Sequence, residues 1–196
     1  MKLIQNICVF CGSGSGKDPV FERSATQLGT AMAERGIGLV YGGGATGLMG
    51  TVARGVRDGG GHVTGIIPGF LRNREVQYDD ADELIITNDM HERKRLMFER
   101  ADAFVALPGG IGTLEELVEQ MTWSQLGQHH KPILIADIGH FWKPLLVLLA
   151  HMREAGFIRD DLEIHYLVAE RVSEIIPMLE QAAMTIRQRQ AALAQA

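Results

Sequence analysis

Short β-rich runs alternate with longer helical patterns along the whole chain, and this alternation leaves it few ways to fold. "NICVF" (6–10) precedes "FERSATQLGTAMAERG" (21–36), and "GLVYGGG" (38–44) precedes "LMGTVARGVRDGG" (48–60). "HVTGIIP" (62–68) and "ELIIT" (83–87) lead into "MHERKRLMFERA" (90–101), "DAFVALPGG" into "TLEELVEQMTWSQLG" (113–127), and "PILIAD" into "FWKPLLVLLAHMREAG" (141–156). "ERVSEIIPMLEQAAMTIRQRQAALA" (170–194) closes the series. Strands separated by helices of ten or more residues imply crossover connections and a parallel sheet. The expectation is a single-domain α/β fold: a doubly wound, Rossmann-like parallel sheet with helices on both faces. A chain of 196 residues is long enough to bury a substantial core in one domain. That domain is expected over 1–186, with 187–196, "RQRQAALAQA", as a frayed tail.

Ligands of open parallel sheets sit outside the carboxyl ends of the strands, and the glycines fall there. There are 23 of them, well above the ordinary share of about 7%. Gly12, Gly14 and Gly16 follow the first strand, Gly42 to Gly44 the second, and Gly109, Gly110 and Gly112 the fifth. Three glycine-rich turns should therefore line one edge. A formal charge of −5 speaks against a binder of nucleic-acid backbone, which would carry a basic surplus. No stretch of 18 apolar residues suggests a membrane span, and the N-terminal run lacks the flanks of a signal peptide, so a cytoplasmic location is expected. Cys8 and Cys11 are three strand residues apart, roughly 10 Å along the chain and on opposite faces, too far for a disulfide.

The glycine loops have rival readings. "GGGATG" (42–47) satisfies G-x-G-x-x-G between a strand and a helix, but the acidic residue a dinucleotide site wants about 20 positions later is absent near "GHVTGIIPG". "CGSGSGKD" lacks the first glycine and the hydroxyl residue of a phosphate-binding P-loop, having Cys11 and Asp18 instead. Asp18-Pro19 reads as a helix N-cap followed by proline at the first helical position.

"ALPGGIGTLEEL" (106–117) is the most informative stretch. Pro108 ends a strand, the glycines bare their backbone N–H groups, and a helix begins at about Thr113. Unpaired amides and the positive end of a helix dipole form an anion site suited to phosphate. The competing reading is a capping box, Thr113-x-x-Glu116, with Glu116 folding back on the N-cap amide; on spacing alone the cap is the stronger of the two. The surplus of glycines and the paired carboxylates Glu115 and Glu116 exceed what a cap needs. A second candidate is the basic helix "NDMHERKRLMFERAD" (88–102), capped by Asn88 or Asp89. At 3.6 residues per turn Met90, Arg93 or Lys94, Met97 and Ala101 share a face, which puts a cation on the apolar side. His91 reads as a helix-start residue, since no His/Cys cluster with metal-ligand spacing accompanies it.

Arg93-Lys94 in "MHERK" and Pro108 to Glu116, P-G-G-x-G-T-x-x-E, together resemble the Lonely Guy family of nucleoside 5'-monophosphate phosphoribohydrolases. "FCGSGSG", "YGGGATGLMG" and "TWSQLGQHHKP" fit in order, so the resemblance spans about residues 6–145. It implies that Arg93 and Glu116 are the catalytic pair. It also implies that Gly109, Gly110, Ile111, Gly112, Thr113, Leu114 and Glu115, with Lys94, contact the nucleotide. Ser13, Gly43, Glu75 in "RNREVQ" and Thr122 in "QMTWSQ" are similar to further contact positions. Gly14 stands where the family usually has a second serine, which leaves Ser13 as the early hydroxyl. Relatives often carry a lysine decarboxylase label; five lysines, no pyridoxal-phosphate lysine motif and a chain under half the usual size speak against that chemistry here.

The resemblance implies hydrolysis of nucleoside 5'-monophosphates, AMP or cytokinin riboside 5'-monophosphates, to free base and ribose 5-phosphate. The transition state is an oxocarbenium-like sugar, so a carboxylate near C1' is wanted; no metal or organic cofactor is implied. The rival from another class is a nucleotide-binding sensor or carrier with the same pocket and no turnover. Apolar helices such as "FWKPLLVLLAHM" exceed what one sheet face needs, and a homodimer is expected.

Overall fold

The computed structural model describes residues 2–71, 81–158 and 164–193. Its strands are β1 (Asn6–Phe10), β2 (Gly38–Tyr41), β3 (Val63–Pro68), β4 (Glu83–Thr87), β5 (Ala103–Ala106), β6 (Ile133–Ala136) and β7 (Leu167–Ala169). They form one seven-stranded sheet in the order β4-β3-β2-β1-β5-β6-β7, every pair parallel. The helices are α1 (Pro19–Glu34), α2 (Gly47–Asp58), α3 (Met90–Arg100), α4 (Ile111–Gln125), α5 (Lys143–Glu154) and α6 (Val172–Leu193). The six expected helices and six expected strands are all present. The seventh strand was not anticipated: "LVA" has three residues, too few to show a period. Helix α6 runs to Leu193, so residues 187–193 of the expected tail are helical.

Strand alternation divides the core into two layers. Ile7, Val9, Leu39, Tyr41, Val105 and Leu134 face α1, α2 and α6, packing on Leu28, Met32, Val52 and Ile176. Cys8, Phe10, Val40, Phe104 and Ile135 face α3, α4 and α5, packing on Met97, Leu117, Met121 and Leu149. Period-2 side chains on strands buried from both sides produce this division. Cys8 and Cys11 are free and belong to opposite layers, as their spacing required. On one face α1 and α2 approach closely at Gly29, where a Cβ would lie 2.5 Å from the Val52 carbonyl oxygen.

Local signals place the helix starts. The Asp18 carboxylate accepts from the Val20 amide at 2.8 Å with Pro19 at the first helical position, and Asp89 accepts from the Glu92 amide at 2.8 Å. From β1 the chain moves outward through β2, β3 and β4, then returns to add β5 on β1's other side. The strand order reverses between β1 and β5, so their carboxyl ends open the crevice where such sheets hold ligands.

His129 closes the turn between α4 and β6. It is buried, its Nδ1 accepts from the Lys131 amide at 3.1 Å, and its Nε2 lies 3.2 Å from the Gln120 carbonyl oxygen. That pattern needs a neutral ring with its proton on Nε2. Burial lowers its pKa below the ordinary 6.5. The unfolded chain therefore takes up this proton first, and the stability the neutral ring contributes is lost as pH falls from 6.5 through the lower folded value. The urea midpoint should fall between pH 7.5 and 5.5 (roughly one unit either side of an ordinary histidine), and His129→Gln should flatten that slope; an unchanged slope in the variant would contradict the assignment.

Candidate functional site

Three glycine loops meet at the reversal point. The Gly12 amide donates to the Pro108 carbonyl at 3.1 Å, the Met49 amide donates to the Gly12 carbonyl at 3.3 Å, and the Thr46 hydroxyl donates to the Ser13 carbonyl at 3.2 Å. The loop after β1 is thus tied to those after β5 and β2. Such contact is possible only without side chains. A Cβ on Gly109 would lie 2.1 Å from Thr113 Oγ1 and 2.8 Å from the Gly12 nitrogen. Gly43, buried at φ +80°, turns the chain out of β2 in a conformation other residues rarely adopt.

Helix α4 begins at Ile111 with Gly110 as its N-cap, and no side chain caps its first amides. This corrects the capping-box expectation. Thr113 is the third helical residue and Glu116 the sixth, three positions too far along to fold back on the cap amide, and both are buried. The spacing misled because glycine can itself serve as cap, which moves the helix start three residues earlier. The first-turn amides are left open to an anion.

Glu116 instead turns toward α3. Its Oε1 lies 3.1 Å from Arg93 Nη1, with both side chains about nine-tenths buried. Arg93 Nε donates to the carbonyl of Ile66, within β3, at 3.1 Å, and Nη1 lies 3.9 Å from Met90 Sδ. A Cβ on Gly42 would come within 2.3 Å of Arg93 Nη2, so the glycine after β2 makes room for the guanidinium. The Cys8 and Cys11 thiols feel the charge of Glu116 from opposite core layers. Burial and then the Glu116 charge push both well above the ordinary thiol range, so neither ionises near neutral pH.

Lys94, next on α3, donates to Glu115 at 2.6 Å and Glu119 at 2.9 Å. Burial alone would lower its ammonium, but these two carboxylates outweigh that and hold it above the ordinary lysine value. Glu119 escaped the sequence reading, although Glu115 and Glu119 are one turn apart and necessarily face the same neighbour. The roles of Gly42 and of the Ile66 carbonyl depend on strand pairing that no local pattern displays.

Ser13, Gly43, Arg93, Lys94 and residues 109–116 therefore lie on loops and helix ends at one edge of the sheet. Leu114 is half-buried against the core layer under α3, α4 and α5. Thr122 is not turned toward Glu116. It sits on the outer face of α4 with Ile111, Val118 and Leu126, and its hydroxyl donates to the Val118 carbonyl at 2.8 Å. Glu75 lies outside the described residues. The one described group with metal-ligand spacing, Asp137, His140 and Glu170, follows β6 and β7, away from Arg93 and Glu116 in the sequence and topology.

Against curated proteins, the chain is 45% identical to a cytokinin riboside 5'-monophosphate phosphoribohydrolase of Arabidopsis thaliana, over 90% of its own length and 82% of that protein. It belongs to the Lonely Guy family. A rice phosphoribohydrolase of the family (Oryza sativa subsp. japonica) is likewise 45% identical, over 90% of this chain and 73% of its own. The family model that matches residues 49–179 carries the description "possible lysine decarboxylase". Among solved structures, a molybdenum cofactor carrier protein of Chlamydomonas reinhardtii superposes with a TM-score of 0.68 at 22% identity, covering 92% of this chain and 98% of that one. A molybdenum cofactor binding protein of Rippkaea orientalis gives 0.67 at 22% identity, covering 90% and 95%. At that identity the likeness establishes that Lonely Guy chains and these carriers share a fold.

Gly109→Ala should destabilise this Lonely Guy protein by about 1–3 kcal/mol, the usual cost of forcing an extra methyl into a packed contact. Urea unfolding measures it; a variant as stable as the wild type would mean that the loops do not meet as closely as described.

Proposed function

We propose that this protein hydrolyses the N-glycosidic bond of nucleoside 5'-monophosphates, AMP or cytokinin riboside 5'-monophosphates, releasing the free base and ribose 5-phosphate. The observation that carries the site assignment is the buried Arg93–Glu116 pair beside an uncapped helix N-terminus at the reversal point of the sheet. The names of the 45%-identical relatives support the activity.

In this reading the phosphate docks on the amides of residues 109–113, where the dipole of α4 favours an anion. Glu116 stands five to six residues along the same helix, about the reach of a ribose from the docked phosphate. Its carboxylate stabilises the positive charge that develops at C1' as the bond to the base breaks, and it orients the attacking water. Arg93 keeps that carboxylate ionised and aimed, and Ile66 and Gly42 keep Arg93 in place. Lys94 adds positive charge beside the phosphate, with Glu115 and Glu119 fixing its position. Catalysis by a Schiff-base lysine fits poorly, since such a lysine must shed its proton near neutral pH and Lys94 is shifted the other way.

The outer face of α4 carries Ile111, Val118 and Leu126 exposed, and α5, on the same side of the sheet, exposes Val147, Leu148 and Met152. We read this apolar surface as the seat of a second copy, a homodimer in which Thr122 meets the partner's nucleotide. No helix among the described residues is long and apolar enough to cross a membrane; a cytoplasmic protein without nucleic-acid partners is the matching expectation.

Incubation with AMP and with a cytokinin riboside 5'-monophosphate should release free base. Glu116→Gln should lower kcat by about 10²–10³-fold, the usual effect of removing one electrostatic stabiliser. Activity that survives Glu116→Gln and Arg93→Ala would sink the site assignment; tight AMP binding without base release in the wild type would favour a sensor or carrier. Light scattering at micromolar concentration should give a dimer that Val147→Asp dissociates, and a monomeric wild type would contradict the dimer.

A further inference from the structure

Two strand ends that the proposed reaction does not use bring together an Asp, a His and a Glu. Asp137 follows β6 and Glu170 follows β7, and the register pairs Ala136 with Ala169, so the two acids leave adjacent strands side by side. The Asp137 amide donates to the Ala169 carbonyl at 2.8 Å, which locks that adjacency. The chain then turns through Gly139 and His140, both at positive φ (61° and 59°), which returns the imidazole toward the carboxylates. His140 Nδ1 lies 3.6 Å from Asp137 Oδ2 and 4.0 Å from Glu170 Oε1, and the three donor atoms all lie within 4.8 Å of one another.

These separations are too long for hydrogen bonds. They approach the roughly 3.3–3.6 Å between neighbouring ligands that metal–ligand bonds of about 2.0–2.2 Å impose in a tetrahedral shell. A second observation points the same way. The Asp137 side chain is 5% exposed, and its Oδ1 is used, accepting from the Trp142 amide at 2.6 Å. Its Oδ2 faces His140 and Glu170, with the His140 imidazole 3.6 Å away. A carboxylate with one oxygen held by a backbone amide presents the other in a fixed direction, as metal-ligating carboxylates do. Arg171, the nearest cation in sequence, is bound through its Nε and Nη2 to Glu174 instead. A cleft of about 530 Å³, lined by Gly139, Glu170 and Arg171 among others, opens beside the cluster and leaves room for a water on the fourth position.

We propose that Asp137, His140 and Glu170 form a three-ligand site for a borderline divalent cation of the zinc, cobalt or nickel type. One imidazole nitrogen with two carboxylate oxygens suits these ions, whereas magnesium prefers an all-oxygen octahedral shell with several waters. The bound ion would tie the ends of β6 and β7 together.

The test is a cobalt(II) titration of the metal-stripped full-length protein, followed by the visible absorption of the bound ion and by calorimetry, with magnesium as control. The wild type should bind one cobalt per chain and magnesium far more weakly. His140→Ala should abolish the absorption, and Glu170→Gln should weaken binding on the order of tenfold or more, as changes around metal ligands do. Both side chains are largely exposed, so these variants should fold, with circular dichroism as the check. Cobalt binding that is absent in the wild type, or unchanged in the His140→Ala, Glu170→Gln double variant, would overturn the proposal; the first result would leave the cluster a plain ion-pair group.

Discussion

The Arg93–Glu116 ion pair is the interaction on which the candidate site depends. Two charges held about nine-tenths out of water carry a desolvation cost of several kcal/mol each, which their mutual attraction offsets only when geometry is good and remaining donors are used. The structure meets that condition with backbone, since Arg93 Nε donates to the Ile66 carbonyl and Nη2 packs over Gly42. The end of β2 and the body of β3 thus fix α3 relative to α4. Removing any one support strands a buried charge, so the pair behaves as a unit.

The glycine loops make this arrangement possible. Gly42, Gly47 and Gly109 each occupy a place where a methyl group would collide with a neighbouring loop or with Arg93, and Gly12 is nearly as crowded. Their density is therefore a packing requirement as much as a ligand feature: three strand ends and two helices converge on one point. Lys94, Glu115 and Glu119 extend the charge network outward to the half-exposed rim. Charge order from buried pair to exposed rim is what a site needs that grips an anion and develops positive charge deeper in.

Much of this was legible in the sequence, for reasons particular residues make clear. Parallel strands buried on both faces read as apolar runs, and the helices between them carry clear caps at Asp18 and Asp89, so the architecture followed from local pattern. The helical spacing already put a cation, Arg93 or Lys94, on the apolar side of α3, although surface charges with buried stems fitted the pattern equally well. What local pattern could not supply was direction. Thr113-x-x-Glu116 fits a capping box until Gly110 takes the cap and turns Glu116 inward, and Thr122 looks like part of the same site until the helix turns it outward. The Asp137–His140–Glu170 group was invisible because Glu170 lies 30 residues beyond His140 and follows β7, a strand too short to recognise.

The central claim is that Arg93 and Glu116 act as one device in breaking the glycosidic bond. Single-turnover release of adenine from AMP by Arg93→Ala, Glu116→Gln and the double variant tests it directly, because groups that act as a unit lose activity non-additively. The account predicts a double variant no slower than the slower single variant. A double variant whose loss equals the product of the two single losses would contradict it.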